Sequence, residues 1–125
     1  MLRKFTIQSV QRKESIAKLY SFGGTLEKRK EFFYTLVGDD EKIYFYHRWI
    51  TPQRLTKGQT IRCWAKQRTF GEEEVKEFDI AYHSLYKCSI FSDYLFEKAV
   101  KDYIQRTQRQ KEWNEREIER LKGLI

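Results

Sequence analysis

Two runs of β-forming residues, EFFYTLV (31–37) and IYFYHRWI (43–50), flank the segment GDDEK (38–42), and this constrains the fold more than any other feature. Aromatic and β-branched side chains favour a pleated surface, and a short polar segment with glycine between two such runs reads as a tight turn. The pair is therefore a β-hairpin. Similar signals lie on both sides of it. RKFTIQSV (3–10) alternates Phe5 and Ile7 with Lys4, Thr6 and Gln8, and TIRCWAKQR (60–68) alternates Ile61, Cys63 and Ala65 with Arg62, Trp64 and Lys66. VKEFDIAYH (75–83) follows the turn TFGEEE (69–74), and Pro52 opens the loop TPQRLTKGQ (51–59). Five short strands in about ninety residues predict a mainly β chain built as a small barrel or sandwich. QRKESIAKLYSFGGTLEKRK (11–30) is read as extending the first strand and leaving it at Gly23-Gly24, which gives a basic loop with Lys28, Arg29 and Lys30.

From Ser92 onward the pattern changes. Residues 92–125 contain no proline and a single glycine, Gly123. Ser92 or Asp93 is suited to cap a helix, with Glu97 in its first turns. Leu95, Ala99, Val100, Tyr103 and Ile104 recur at helical spacing and are expected to dock on the strands. Further on, Ile104, Thr107, Lys111, Asn114, Ile118, Leu121 and Ile125 step by three and four, a heptad seam with a polar middle. A helix over this whole segment is roughly 50 Å long, longer than a barrel of this size. Its distal half is expected to leave the body, to find a partner or to stay partly frayed, with Ile118, Leu121 and Ile125 as the candidate residues for self-association. The division is thus a barrel over 1–91 and a C-terminal helix over 92–125.

Composition narrows the partners. The chain has 125 residues, 40% of them hydrophobic, which fits a globular domain with a modest core. Its net charge of +7 favours a polyanionic partner. Residues 1–91 carry 17 Lys+Arg against 11 Asp+Glu, whereas residues 92–125 carry 8 against 7, so the excess sits on the barrel. No apolar run approaches the roughly 20 residues of a membrane span, and the first residues lack the pattern of a signal peptide. Cys63 and Cys88 are too few for a disulfide framework. These features place the chain in the cytoplasm, away from membranes.

Residues two apart in a strand share a face. With Ile61, Cys63 and Ala65 inward, Arg62, Trp64 and Lys66 point out, and an exposed tryptophan between two cations invites a ligand. In IYFYHRW, placing Ile43, Phe45, His47 and Trp49 inward puts Tyr44, Tyr46 and Arg48 beside that stripe. Unpaired bases stack on aromatic side chains while Lys and Arg follow the phosphates, at about 1–3 kcal/mol per stacked base. A duplex has no free base faces to offer. The expected ligand is a single strand.

The order strand, long loop, hairpin, loop, LTKGQTIRCWAKQR (55–68), turn, strand resembles the OB-fold of single-stranded DNA-binding proteins over residues 3–87. In that family a Lys/Gly turn commonly leads into the fourth strand, as TKGQTIRC (56–63) would here. The chain departs from the pattern in having only the loop ITPQRLTKG (50–58) where a helix often stands. The resemblance implies a five-stranded OB-fold-like barrel whose ligand crosses strands two and three, between the first long loop and the loop joining strands four and five. Tyr44, Tyr46, Arg48, Arg62, Trp64 and Lys66 would lie on or beside that path, with Lys28, Arg29 and Lys30 flanking it.

Signals for catalysis are weak. GDDE and GEEE are turns, no Gly-rich phosphate loop occurs, and no local motif brings His47 or His83 to a cysteine. His47, Cys63, His83 and Cys88 lack the paired spacing of a zinc site. The expected protein is a non-enzymatic, non-sequence-specific single-stranded DNA-binding protein with no cofactor and no metal. RNA binding by the same barrel, and an adaptor working through the helix, are the alternatives.

Overall fold

The computed structural model describes residues 1–20, 23–24, 26–84 and 88–125. Among them, β1 (Leu2–Tyr20), β2 (Leu26–Gly38), β3 (Ile43–Trp49), β4 (Thr60–Gln67), β5 (Glu77–Ile80) and β6 (Ile90–Phe91) precede the helix α1 (Asp93–Lys122). The first five strands close on themselves in the order β1-β2-β3-β5-β4-β1, antiparallel throughout except for the parallel β3–β5 pair. The chain is therefore mainly β, a barrel-like ring of five strands followed by a long helix, and compatible with an OB-like fold. β6 had no counterpart in the sequence reading. It pairs with Arg62 and Cys63 on the edge of β4 that β5 leaves open.

β1 closes the ring by serving two neighbours. Leu2–Thr6 pair with β4, and Ile7–Tyr20 pair with β2. A register shift between Ile7 and Ser9 adds a residue to β1, and a bulge of this kind bends the strand from one partner to the next. Gly38 permits the close approach at this corner. A Cβ there would stand 2.9 Å from Cδ2 of Phe5 and collide with the Asp40 carboxylate. The turn after it closes through the Gly38 N–H on the Lys42 carbonyl at 3.0 Å, with Glu41 at φ 61.

Core residues alternate along the strands: Phe32, Tyr34 and Leu36 on β2, Tyr44 and Tyr46 on β3, Ile61, Cys63 and Ala65 on β4, Phe78 and Ile80 on β5. The inward face of β4 is the expected one. That of β3 is inverted. Tyr44 and Tyr46 are buried, at 0% and 8% exposure, while Trp49 is 39% exposed. Register explains the inversion, because residues opposite one another in an antiparallel pair share a face. Leu36 faces Tyr44, Tyr34 faces Tyr46 and Phe32 faces Arg48, so the apolar side of β2 draws the tyrosines in.

Each buried tyrosine carries its hydroxyl to a polar partner, as a buried phenol requires. The Tyr44 ring stacks on Phe5 at 3.9 Å; its hydroxyl donates to Asp40 Oδ2 at 2.6 Å and accepts from Arg3 Nε at 3.1 Å. Burial first, and the Asp40 hydrogen bond second, raise its pKa far above the usual phenol range. Tyr34 donates to the Gln53 carbonyl at 2.8 Å and accepts from the Gln53 N–H, and Tyr46 donates to Gln53 Oε1 at 3.1 Å. Those contacts pin the β3–β4 loop, whose Leu55 enters the core.

Beyond Phe32 the β1–β2 pair continues as a two-stranded arm, exposed at residues 15, 16, 18 and 26–30 and half-buried at Ala17. Lys28, Arg29 and Lys30 are thus in strand β2, not in a loop. The loop reading at residues 21, 22 and 25 lies outside the described residues. At the other end, Ser92 caps α1 by accepting from the Leu95 N–H at 3.3 Å. The helix meets the ring at β4 and β6 and has no buried residue. Phe96 docks edge-on to Phe91 at 5.8 Å and under Arg62 at 4.6 Å; of the residues expected to dock, Ala99, Val100 and Tyr103 are half-buried, whereas Leu95 and Ile104 are exposed. Among the described residues, no helix is long and apolar enough to cross a membrane.

Candidate functional site

Inverting β3 moves the outward aromatic surface onto other residues. Phe33 of β2 lies opposite His47 of β3, and both point away from the core. Their rings are 4.9 Å apart, and His47 meets Trp49 edge-on at 4.8 Å. Phe33, His47 and Trp49 therefore form a continuous ridge along the outside of β2 and β3. Phe45 extends that face toward β5, covered by the Arg68 guanidinium 3.9 Å from its ring centroid. Phe33, Phe45, His47 and Arg68 together line a hollow that dips toward Tyr34 and Ile80.

Charge surrounds the ridge unevenly. Lys13 of β1 sits opposite Phe33, in the same row as His47, so a cation ends that row. His47 Nε2 is 3.2 Å from Glu31 Oε1, and Arg68 Nε is 2.9 Å from Asp79 Oδ1, which sets the orientation of both side chains. Phe70, two residues past Arg68 on the β4–β5 loop, is 99% exposed. Just after Trp49 the backbone turns sharply. Ile50 has φ 70, unusual for a β-branched residue, and the Thr51 N–H reaches the Trp49 carbonyl at 2.8 Å.

The residues expected from sequence separate into three groups. Tyr44, Tyr46 and Arg48 belong to the inward row and cannot present ring faces or a phosphate-binding cation. Arg48 is held by the Thr51 carbonyl at 3.1 Å and Gln53 Oε1 at 2.9 Å, so it braces the β3–β4 loop. Arg62 and Trp64 do lie on the outer side of β4, but later parts of the chain cover part of each, the start of α1 over Arg62 and His83 over Trp64. Arg62 donates to Asp93 Oδ1 at 2.9 Å and so anchors the start of α1; that hydrogen bond holds the Asp93 carboxyl below its ordinary pKa. Trp64 is half-buried, with the His83 ring 4.1 Å away. Lys66 is exposed as expected, and so are Lys28, Arg29 and Lys30 on the arm. Arg29 pairs with Glu27 at 3.0 Å and Lys30 with Glu14 at 3.5 Å, while Lys28 lies opposite Lys18.

Sequence reasoning missed Phe33, Phe45, His47, Trp49 and Arg68. The signal that finds them is the hairpin register set by Gly38–Lys42, combined with the apolar row Phe32, Tyr34 and Leu36. The same inversion separates two of the soft ligands: His47 is on the outer surface beside Glu31, and Cys63 is in the core. Burial pushes the Cys63 thiol up to about 12, so it stays protonated and unreactive near neutrality. Among the described residues, no three His, Cys, Asp or Glu side chains converge as metal ligands. No family model matches the chain, and no curated protein or solved structure proves similar to it.

Proposed function

We propose that this protein binds single-stranded nucleic acid, DNA in the first instance, on the outer face of β2 and β3, with little sequence preference and no chemical reaction. The observation that carries the reading is the ridge of Phe33, His47 and Trp49, three aromatic rings side by side on the outside of the barrel-like ring. Bases would stack along the ridge, and Phe70 on the β4–β5 loop would add a further ring at its margin. Lys13, Arg68, Lys66 and the arm residues Lys28, Arg29 and Lys30 would follow the phosphates. Arg62 and Trp64 would lie off the main path, since the start of α1 and His83 already occupy part of their surface. Binding on the outer face of β2 and β3 would follow the path that the resemblance to OB-fold single-stranded DNA-binding proteins implies, across strands two and three.

Fluorescence anisotropy with a labelled single strand, the matched duplex and the matched RNA tests the proposal. The single strand should bind more tightly than the duplex, because only unpaired bases expose their faces. Affinity should fall with salt at a log–log slope of roughly −0.7 per phosphate contact, near −3 for about four contacts. Equal or tighter binding to the duplex, or a flat salt dependence, would refute it. A preference for RNA over DNA would keep the ridge and change the natural ligand.

A further inference from the structure

Residues 92–125 are close to neutral, with 8 Lys+Arg against 7 Asp+Glu. The helix nevertheless sorts its charges by face. Lys98, Arg109, Trp113, Arg116 and Arg120 recur at steps of three, four and eleven residues, which places them on one side of an α-helix. Arg106 flanks this stripe, lying 5.8 Å from the Tyr103 ring. The heptad positions Thr107, Asn114, Ile118 and Leu121 continue the opposite side, in line with the docked Phe96.

Two observations set the stripe apart from an ordinary solvated face. Trp113 is 54% exposed in its middle, flanked by Arg109 and Arg116. Other charges on the helix pair locally, as Lys111–Glu115 and Lys122–Glu119 do, and at the end of the stripe Arg120 pairs with Glu117 at 3.0 Å. No carboxylate among the described residues lies within ion-pairing distance of Lys98, Arg109 or Arg116. Two acids adjoin the stripe: Asp102 lies within it, and Glu112 borders the hollow that Arg109, Trp113 and Arg116 line, without pairing with either arginine. Near the ring, this side of the helix borders a groove lined by Phe91, Leu95, Lys98, Arg106 and Arg109, so the stripe begins where the helix meets β6.

We propose that α1 carries a second contact for the same single strand, with Arg109 and Arg116 on phosphates and Trp113 stacked on a base. The inference rests on the ring-face reading for the nature of the ligand, and it adds a site on a different element. β5 lies between β3 and β4 in the ring, so roughly 10 Å of sheet separates the ridge from the strand on which α1 docks. A short oligonucleotide would occupy the ridge alone. A longer one would reach the helix as well, and the link between the two contacts would strengthen binding without any change at the ridge.

The experiment uses the full chain in three forms: unaltered, a helix variant carrying Arg109→Gln, Trp113→Ala and Arg116→Gln, and a ridge variant carrying Phe33→Ala and Trp49→Ala. Circular dichroism confirms that each is folded. Anisotropy is measured with short and long oligo(dT) across a salt series. The helix variant should bind short oligo(dT) normally but lose affinity for long oligo(dT) by about five-fold or more, the worth of one stacked base. Its salt slope on the long strand should be shallower by about 1.4, for two lost contacts. In fluorotryptophan-labelled unaltered protein, the fluorine resonance assigned by Trp113→Phe should shift with long but not short oligo(dT). If the helix variant matches the unaltered protein at every length and the Trp113 resonance stays put, while the ridge variant loses binding, the helix contact is overturned and the ring-face reading stands. If the ridge variant binds normally and the helix variant does not, the helix contact stands and the ring-face reading falls.

Discussion

Tyr44→Phe separates the two orientations of β3 by a single oxygen atom. The substitution keeps the ring stacked between Phe5 at 3.9 Å and Phe78 at 5.3 Å, so the apolar packing is unchanged. It deletes the hydrogen bond donated to Asp40 at 2.6 Å and the one accepted from Arg3 at 3.1 Å. A hydrogen bond to a charged group is worth about 1.5–3 kcal/mol when its partner is then left without water. Here Arg3 and Asp40 remain paired at 3.1 Å and keep 28% and 25% side-chain exposure, so water replaces much of the loss. The expected destabilisation is about 1–2 kcal/mol, or roughly 4–8 °C in Tm for a domain of this size. Urea unfolding followed by tryptophan fluorescence should show a lower midpoint at unchanged m, with single-strand affinity unaltered.

Alkaline pH supplies a second readout of the same substitution. A phenol whose pKa is raised on folding contributes stability that is complete below its unfolded value, about 10, and is lost as pH rises toward the folded value. The Cys63 thiol, moved from 9.0 to about 12, acts with the same sign over the window between those values. The unaltered protein should therefore weaken above about pH 9, and Tyr44→Phe should weaken less steeply above pH 10. If Tyr44→Phe leaves stability untouched but binds DNA several-fold more weakly, the hydroxyl faces the ligand and the inward placement is wrong.

Trp49→Ala should lower single-strand affinity by about 1–3 kcal/mol while shifting stability by less than about 1 kcal/mol, because the ring is largely on the surface; normal affinity by anisotropy would remove the ridge from the binding path. Arg62→Ala should loosen the start of α1, read as faster amide exchange over residues 93–100 with the ring strands still protected. In the unaltered protein the same loosening should appear as pH falls through the depressed pKa of Asp93, and exchange independent of both changes would show that Phe96 alone holds the helix. Deleting residues 108–125 should abolish any self-association through Ile118, Leu121 and Ile125, which are 51%, 50% and 106% exposed; a mass by light scattering identical to that of a monomer before and after deletion would show that the heptad seam has no partner in solution.

Strand positions were legible because alternation and turn residues are local properties. The hairpin around Gly38–Lys42, the strand at Thr60–Gln67 and the helix capped at Ser92 all fall where the sequence puts them. Alternation marks two faces of a strand, however, without saying which one is buried. On β4 the contrast between Ile61-Cys63-Ala65 and Arg62-Trp64-Lys66 suffices. On β3 both faces are aromatic, and polarity alone favours the wrong one, because tyrosine satisfies a small ring by burying its ring and sending its hydroxyl to Asp40, Gln53 or a neighbouring carbonyl. Closure decided the rest: cross-strand pairing with Phe32, Tyr34 and Leu36 turned Tyr44 and Tyr46 inward and brought Phe33, His47 and Trp49 together outside. In the same way, Arg62 reads as a ligand contact in the chain and becomes a helix anchor only when Asp93 and Phe96, some thirty residues on, fold back against it. Local periodicity thus determined the elements of this protein, while the pairing of distant strands, which no short window contains, decided which side chains the surface has to offer.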